Sequence, residues 1–194
     1  MGYRKRKKMF YKSPNTNKKL EGKELKKEIR KGFESSTYKQ KLECELLEPI
    51  VKAFKDSDFQ SLQIIDTKKR LDTVIKFKPK GYSYKISSYF KSKLGKATAL
   101  DHHINRPAYV KTDLGKALDN FYTKKDKEIE DFNKKEKDEK KHKTKISRNP
   151  DDWGNSHSEY EKEILDDYGV NRRMSKSNGV SVAPSRYNHL KTEL

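Results

Sequence analysis

Apolar residues along this chain keep the period of a regular element over one long stretch, from Thr37 to Ser88. Within it, Leu42, Leu46, Leu47, Ile50, Val51 and Phe54 fall at spacings of three and four, which predicts an amphipathic helix with one stripe turned to a core. Thr37 and Gln40 supply a T-x-x-Q capping box at its start, and Pro49 predicts a kink or break before Asp56. Farther on the period changes to two. Leu71, Thr73, Ile75 and Phe77 alternate with Asp72, Lys76 and Lys78, and after Pro79-Lys80-Gly81 the alternation resumes as Tyr82, Tyr84 and Ile86 against Ser83, Lys85 and Ser87. This pattern predicts a hairpin. Phe59 to Asp66, with Leu62, Ile64 and Ile65, reads as a third strand beside it. The expected fold class is therefore α+β, an amphipathic helix on a three-stranded antiparallel meander, close to the minimum that is stable alone.

The rest of the chain reads as additions to that core. Residues 1–34 form a basic N-terminal arm with a short helix possible from Leu20 to Phe33, and residues 35–123 hold the α+β core. At the end of the core a short helix over Ser88 to Leu94 stops at Gly95, a loop covers Lys96 to Lys111, and a second long helix begins near Thr112 or Asp113. Leu114, Leu118, Phe121, Tyr122, Ile129 and Phe132 share one face of that helix. Its continuation over 124–145 is a charged projecting helix, to about His142, or a linker, supported by pairs such as Glu130 with Lys134 and Asp131 with Lys135. In 146–194, Trp153 reads as a packing anchor. A short helix follows, with a Ser158 and Glu161 capping box, a face of Tyr160, Ile164, Leu165 and Tyr168, and Gly169 as its stop. Val170 to Leu194 has no period and reads as an extended tail.

Composition narrows the picture. Of 194 residues, 31% are hydrophobic and 39% charged, against roughly 45–50% apolar in an ordinary globular domain. The core must be small, with arms that a partner orders. Net charge is +18, and it is uneven. Met1 to Lys31 holds thirteen Lys or Arg against three Glu, whereas Ile146 to Leu194 holds seven basic and eight acidic residues. A field of this kind attracts polyanions. Cys44, the single cysteine, allows neither an intramolecular disulfide nor a thiolate zinc cluster. No apolar run approaches the roughly 18 residues of a membrane span, and the basic Met1 to Phe10 leads into no hydrophobic segment of a secretory signal. The chain is accordingly expected inside a cell (cytoplasm, nucleoid or nucleus) or inside a virus particle, with no membrane partner.

Three stretches could carry chemistry. The arm that contains Arg4, Lys5, Arg6, Lys7 and Lys8, interleaved with Tyr3, Phe10 and Tyr11, has the composition of a nucleic-acid-binding segment, in which cations displace condensed counterions. Lys76, Lys78 and Lys85 form the polar face of the expected hairpin and extend that surface, while Tyr82 and Tyr84 share parity with Ile86 and belong to the core. The excess of Lys over Arg favours phosphate contact over the reading of base edges.

The third stretch is Asp101-His102-His103, followed by Asn120 and Asn133. It resembles the HNH nuclease motif. That resemblance, over about 35 residues, implies one histidine as general base for water, with the other motif positions, Asn120 among them, orienting it or holding a divalent metal. The second spacing is long, however, the Cys pairs and Gly-rich ββ turn are missing, and Asn120 sits inside the apolar period of a helix. The preferred reading makes His102 and His103 loop residues with ordinary hydrogen bonds. Gly-rich nucleotide loops, G-x-S-x-G and H-E-x-x-H are absent from the sequence, so no cofactor and no metal are expected. The leading expectation is a non-enzymatic, largely sequence-nonspecific nucleic-acid-binding structural protein within a larger assembly of protein subunits, a ribonucleoprotein or the genome-facing part of a virion or phage. An HNH-type nuclease and an assembly protein whose tails wrap neighbouring subunits are the alternatives.

Overall fold

The structure is a computed structural model that describes residues 10–12, 17, 19–25, 52, 54–177 and 179–194. The chain divides into two units, Met1–Ile65 and Asp66–Leu194. In the first, β1 (Phe10–Lys12) pairs antiparallel with β2 (Lys19–Glu21), with Phe10 opposite Glu21 and Lys12 opposite Lys19. A small hairpin thus stands where an aperiodic arm was expected. The predicted amphipathic helix beginning at Thr37, together with Cys44 and the cluster Arg4, Lys5, Arg6, Lys7 and Lys8, lies outside the described residues.

The three-stranded meander is not formed, and the α+β expectation is corrected to a mostly helical chain, whose sheets among the described residues are two-stranded. Phe59 to Asp66, read as a strand, lies within α1 (Ser57–Val74). Asp56 caps this helix, its carboxylate accepting from the Phe59 N–H at 2.9 Å. The error over Leu71 to Ile75 has a physical origin. Leu71, Thr73 and Ile75 alternate, but Leu71, Val74 and Ile75 also obey the helical spacing of three and four, and these are the residues that pack on the core, with Val74 fully buried. Thr73 faces outward and donates to the Lys69 carbonyl at 2.8 Å.

Beyond Val74 the alternation is real although the ladder is missing. Phe77, Tyr82 and Tyr84 are half-buried and Pro79 and Ile86 buried, while Lys76, Lys78, Lys80, Ser83 and Lys85 are exposed. The Ile86 N–H reaches the Phe77 carbonyl at 2.8 Å and the Ser87 N–H reaches the Ile75 carbonyl at 3.0 Å. The intervening chain turns through Gly81 at φ 86, and the Lys80 N–H bonds to the Lys111 carbonyl at 2.8 Å, away from the hairpin partner.

The core of the second unit is built by α2 (Ile86–Tyr89), α3 (Lys93–Asn105), α4 (Val110–Lys135), α5 (His157–Asn171) and α6 (Ala183–Glu193). Leu114, Leu118, Phe121 and Tyr122 of α4 are buried as their spacing predicts, against Ile164, Leu165 and Tyr168 of α5 and Trp153 in a 3-10 turn (Pro150–Ser156). Trp153 is the packing anchor, edge-on to Tyr89 and Tyr160 and tilted against Phe121, with its indole N–H on the Ser147 carbonyl at 2.8 Å.

Several predicted stops and loops are helical instead. Gly95 lies in the first turn of α3, which continues through the expected loop to Asn105. A Cβ at Gly95 would stand 2.8 Å from Phe90 Cβ, so the glycine allows close packing and does not end a helix. Gly169 likewise lies within α5, with the Tyr187 ring where its side chain would be. The expected extended tail from Val170 forms the end of α5, the β3 (Lys176–Ser177) and β4 (Val180–Ser181) hairpin, and α6, whose Ala183 and Tyr187 are buried. The charged segment after Phe132 does not project as a helix to His142. The backbone leaves α4 at Lys135 and returns along it. The Asn133 amide exchanges two hydrogen bonds with the Lys143 backbone (2.9 and 2.8 Å), Lys145 meets Glu130 at 3.1 Å, and Arg148 meets Asp126 at 3.0 Å with its guanidinium 3.8 Å above the Tyr122 ring.

Candidate functional site

The histidines singled out by the HNH resemblance sit on α3, not in a loop. His102 has no exposed surface. Its Nδ1 is 2.8 Å from the Tyr168 hydroxyl and its Nε2 is 3.6 Å from the Asp113 carboxylate. Burial drives its pKa down to about 4, against the opposing pull of the Asp113 charge, so the ring is neutral near pH 7. Nδ1 and the Tyr168 hydroxyl share a hydrogen bond, and Nε2 faces the Asp113 carboxylate from beyond hydrogen-bond distance.

Around it lies a closed ionic network. Asp113 accepts from the Arg173 N–H and Nε, both at 2.7 Å. Asp101 accepts from Arg172 Nη2 at 2.9 Å and from Arg186 Nε at 3.0 Å. Arg172 is itself buried and donates to the Gly169 carbonyl. Burial raises the Asp101 pKa, but the hydrogen bonds and charges of Arg186 and Arg172 outweigh it and hold the carboxyl below its usual range. This network joins α3, α4, α5 and α6; its carboxylates are taken up by the arginines, while His102 Nε2 and Arg172 Nε are buried without a hydrogen-bond partner among the described residues.

His103 points elsewhere, edge-on to Phe77 with ring centroids 5.4 Å apart, and its pKa is lowered by burial and then by the charge of Arg70. Asn120 donates to Asp167 at 2.8 Å on an exposed face of α4. The contacts of His102, His103 and Asn120 therefore lead in three directions, and neither histidine meets Asn120. Among the described residues no group of three or more His, Cys, Asp or Glu side chains could hold a metal ion. An open cleft of about 460 Å³ is bordered by Lys91, Ser92, Asp151, His157 and Glu161. These five side chains are engaged within the protein: Lys91 meets Asp151 at 3.3 Å, the His157 ring meets the Ser88 carbonyl at 2.9 Å, and Glu161 meets Ser92.

The other feature is uncompensated charge. Residues 66–111 contain twelve basic and three acidic residues, a net of +9, whereas residues 112–194 contain eighteen basic and seventeen acidic, a net of +1. In 112–194 eleven of the eighteen cations meet a carboxylate, among them Lys124 and Lys125 at Glu163, Lys162 at Asp166, and Arg173 at Asp113. In 66–111, Arg70 has Asp66 and Lys91 has Asp151; the other ten basic residues have no carboxylate partner among the described residues.

Compared with known proteins, the chain matches no family model, no curated protein and no solved structure.

The predicted lysines fall on this unpaired surface. Lys76, Lys78 and Lys85 are all exposed. Lys80 and Lys111 were missed by the sequence reading. Lys80 continues the alternation of Lys76 and Lys78 and could have been found there; Lys111 comes beside it only through the Lys80 to Lys111 backbone bond. Its ammonium lies 4.8 Å from the Phe77 ring centroid. Tyr82 and Tyr84 pack against the core, and the Tyr82 hydroxyl donates to Asp119 at 2.8 Å. Among the described residues, no helix is long and apolar enough to cross a membrane.

Proposed function

We propose that this chain is a non-enzymatic, largely sequence-nonspecific nucleic-acid-binding structural protein that acts within a larger assembly, either a ribonucleoprotein or the genome-facing part of a virion or phage. The observation that carries the reading is the segregation of charge. A protein whose surface cations serve only solubility intersperses them with acids, as residues 112–194 do, whereas residues 66–111 leave ten of their twelve cations without a carboxylate among the described residues. The basic cluster Arg4, Lys5, Arg6, Lys7 and Lys8 adds to the same balance. Unmatched lysines gain most from a partner that releases condensed counterions when they bind.

The test is what the protein carries out of the cell. The ratio of absorbance at 260 and 280 nm, read on the purified full chain before and after a high-salt wash, starts high and falls to the value of bare protein. A ratio at the bare-protein value from the outset, with no retention of added nucleic acid at low salt, overturns the proposal.

A further inference from the structure

The loop between α1 and α2 presents its cations as a ridge. Lys76, Lys78 and Lys80 are exposed, and the residues between them, half-buried Phe77 and buried Pro79, turn inward. Lys111 flanks the ridge from the start of α4, held there by the Lys80 to Lys111 backbone bond and by its position over Phe77. Gly115, one turn along α4, lets the helix approach the Lys80 backbone, where any Cβ would collide with the Lys80 carbonyl. None of the four lysines has a carboxylate partner among the described residues.

We propose that this ridge binds the phosphate backbone of a nucleic-acid duplex, an inference that rests on the nucleic-acid reading above. Three features select the duplex. The cations are all lysines, point charges without the planar fork that reads base edges. The rings nearby are engaged by the protein and are not set out as a platform of faces on which unpaired bases could stack: Phe77 is covered by Lys111 and His103, Tyr82 is stacked on Tyr122, Tyr84 is half-buried against the core, and one face of Tyr109 lies 3.8 Å under the Arg173 guanidinium. Single-strand binders depend on such faces. Without them the partner of highest charge density wins, and a duplex carries a charge every ~1.7 Å of its axis against ~3.4 Å for each strand alone. An anionic membrane is the poorer fit, because interfacial segments insert apolar side chains between their cations, and here those side chains point inward.

The experiment uses the full chain, a labelled duplex of random sequence and its separated top strand, titrated across a series of KCl concentrations. The duplex binds more tightly, by about 5-fold or more near 0.1 M salt. The combined variant K76Q/K78Q/K80Q/K111Q lowers the slope of log affinity against log salt by about 3–4, roughly 0.9 for each lost phosphate contact. The matched variant K124Q/K134Q/K145Q/K162Q, which removes the same charge from carboxylate-paired lysines, leaves that slope near its original value. Trp153 emission verifies that each variant is folded; if the fourfold ridge variant is not, K78Q alone lowers the slope by about 1. Tighter binding of the single strand, equal slopes for the two fourfold variants, or loss of the duplex to anionic vesicles of equal total charge each overturns the ridge while leaving the wider reading standing. Binding of neither duplex nor strand at low salt overturns both.

Discussion

Ser92, just before α3, and Glu161 of α5, 69 residues apart, share a hydrogen bond of 2.5 Å. Ser92 is the N-cap of α3, its hydroxyl oxygen accepting from the Gly95 N–H at 2.9 Å. The Glu161 carboxylate accepts that hydroxyl proton together with the backbone N–H groups of Lys91 and Ser92, each at 3.0 Å. One side chain of α5 thereby satisfies the open amino end of α3, where the helix dipole also favours a negative charge.

Glu161→Ala takes their shared charged acceptor from the Lys91 and Ser92 N–H groups and from the Ser92 hydroxyl, at the border of an open cleft. We expect a loss of about 1.5–3 kcal/mol, the range for hydrogen bonds to a charged group, read from urea unfolding followed by Trp153 fluorescence. Glu161→Gln keeps the shape and costs less. Equal stability of wild type and Glu161→Ala would show that the cap is dispensable.

Stability depends on pH through His102. Its folded pKa, about 4, lies below the ordinary value of 6.5, so the unfolded chain binds a proton that the folded chain refuses. The stabilisation is fully present above about pH 6.5 and is lost as pH falls toward 4, with a limiting slope of about 1.4 kcal/mol per pH unit for one proton. Asp101 acts in the same direction at lower pH, since its depressed pKa stabilises the fold until the carboxylate is protonated. Urea midpoints from pH 7.5 to 4.5 for wild type and His102→Gln separate the two. The variant flattens the upper part of this window, and an unchanged profile refutes the assignment to His102.

Gly115→Ala and Gly169→Ala each force a methyl group into occupied space, against the Lys80 carbonyl and the Tyr187 ring respectively. Overpacking of this kind costs about 1–3 kcal/mol. Thermal unfolding of both variants, with an exposed site such as Lys162→Ala as reference, gives lowered midpoints for the glycine variants only.

Removal of α6 by truncation after Val182 tests whether the C-terminal segment is structure or tail. Truncation uncovers Gly169, deletes buried Tyr187 and takes Arg186 from Asp101. A loss of about 3 kcal/mol or more is expected, as when one partner of a buried charge network is removed. Urea unfolding measures it, and a truncated protein as stable as the full chain would return the segment to the status of an appendage.

The sequence made the apolar stripe of α4 and the anchoring of Trp153 legible because both rest on large residues at regular spacing. Leu71 to Ile75 was not decidable, since five residues satisfy a period of two and a period of 3.6 equally well, and the helix was chosen by the Asp56 cap and the straight-chain residues before it. The α6 helix buries only Ala183 and Tyr187, too few positions to set a period. The signal at Glu161 was sound in kind but pointed to the wrong helix, because a capping glutamate advertises its chemistry and not the end it will cap. For the candidate surface, Lys76, Lys78 and Lys85 were visible through alternation, whereas Lys111 depends on a backbone bond between distant residues that no local pattern encodes.

The bond from the Lys80 N–H to the Lys111 carbonyl also fixes when the lysine ridge can exist. An amide in an unladdered loop ordinarily exchanges its hydrogen with water at each small fluctuation, but this one is released only when the loop parts from the first turn of α4. Its exchange rate therefore reports the free energy of that parting. The ridge inherits that persistence, so the backbone positions of its four lysines hold their spacing for as long as the loop stays seated on the helix.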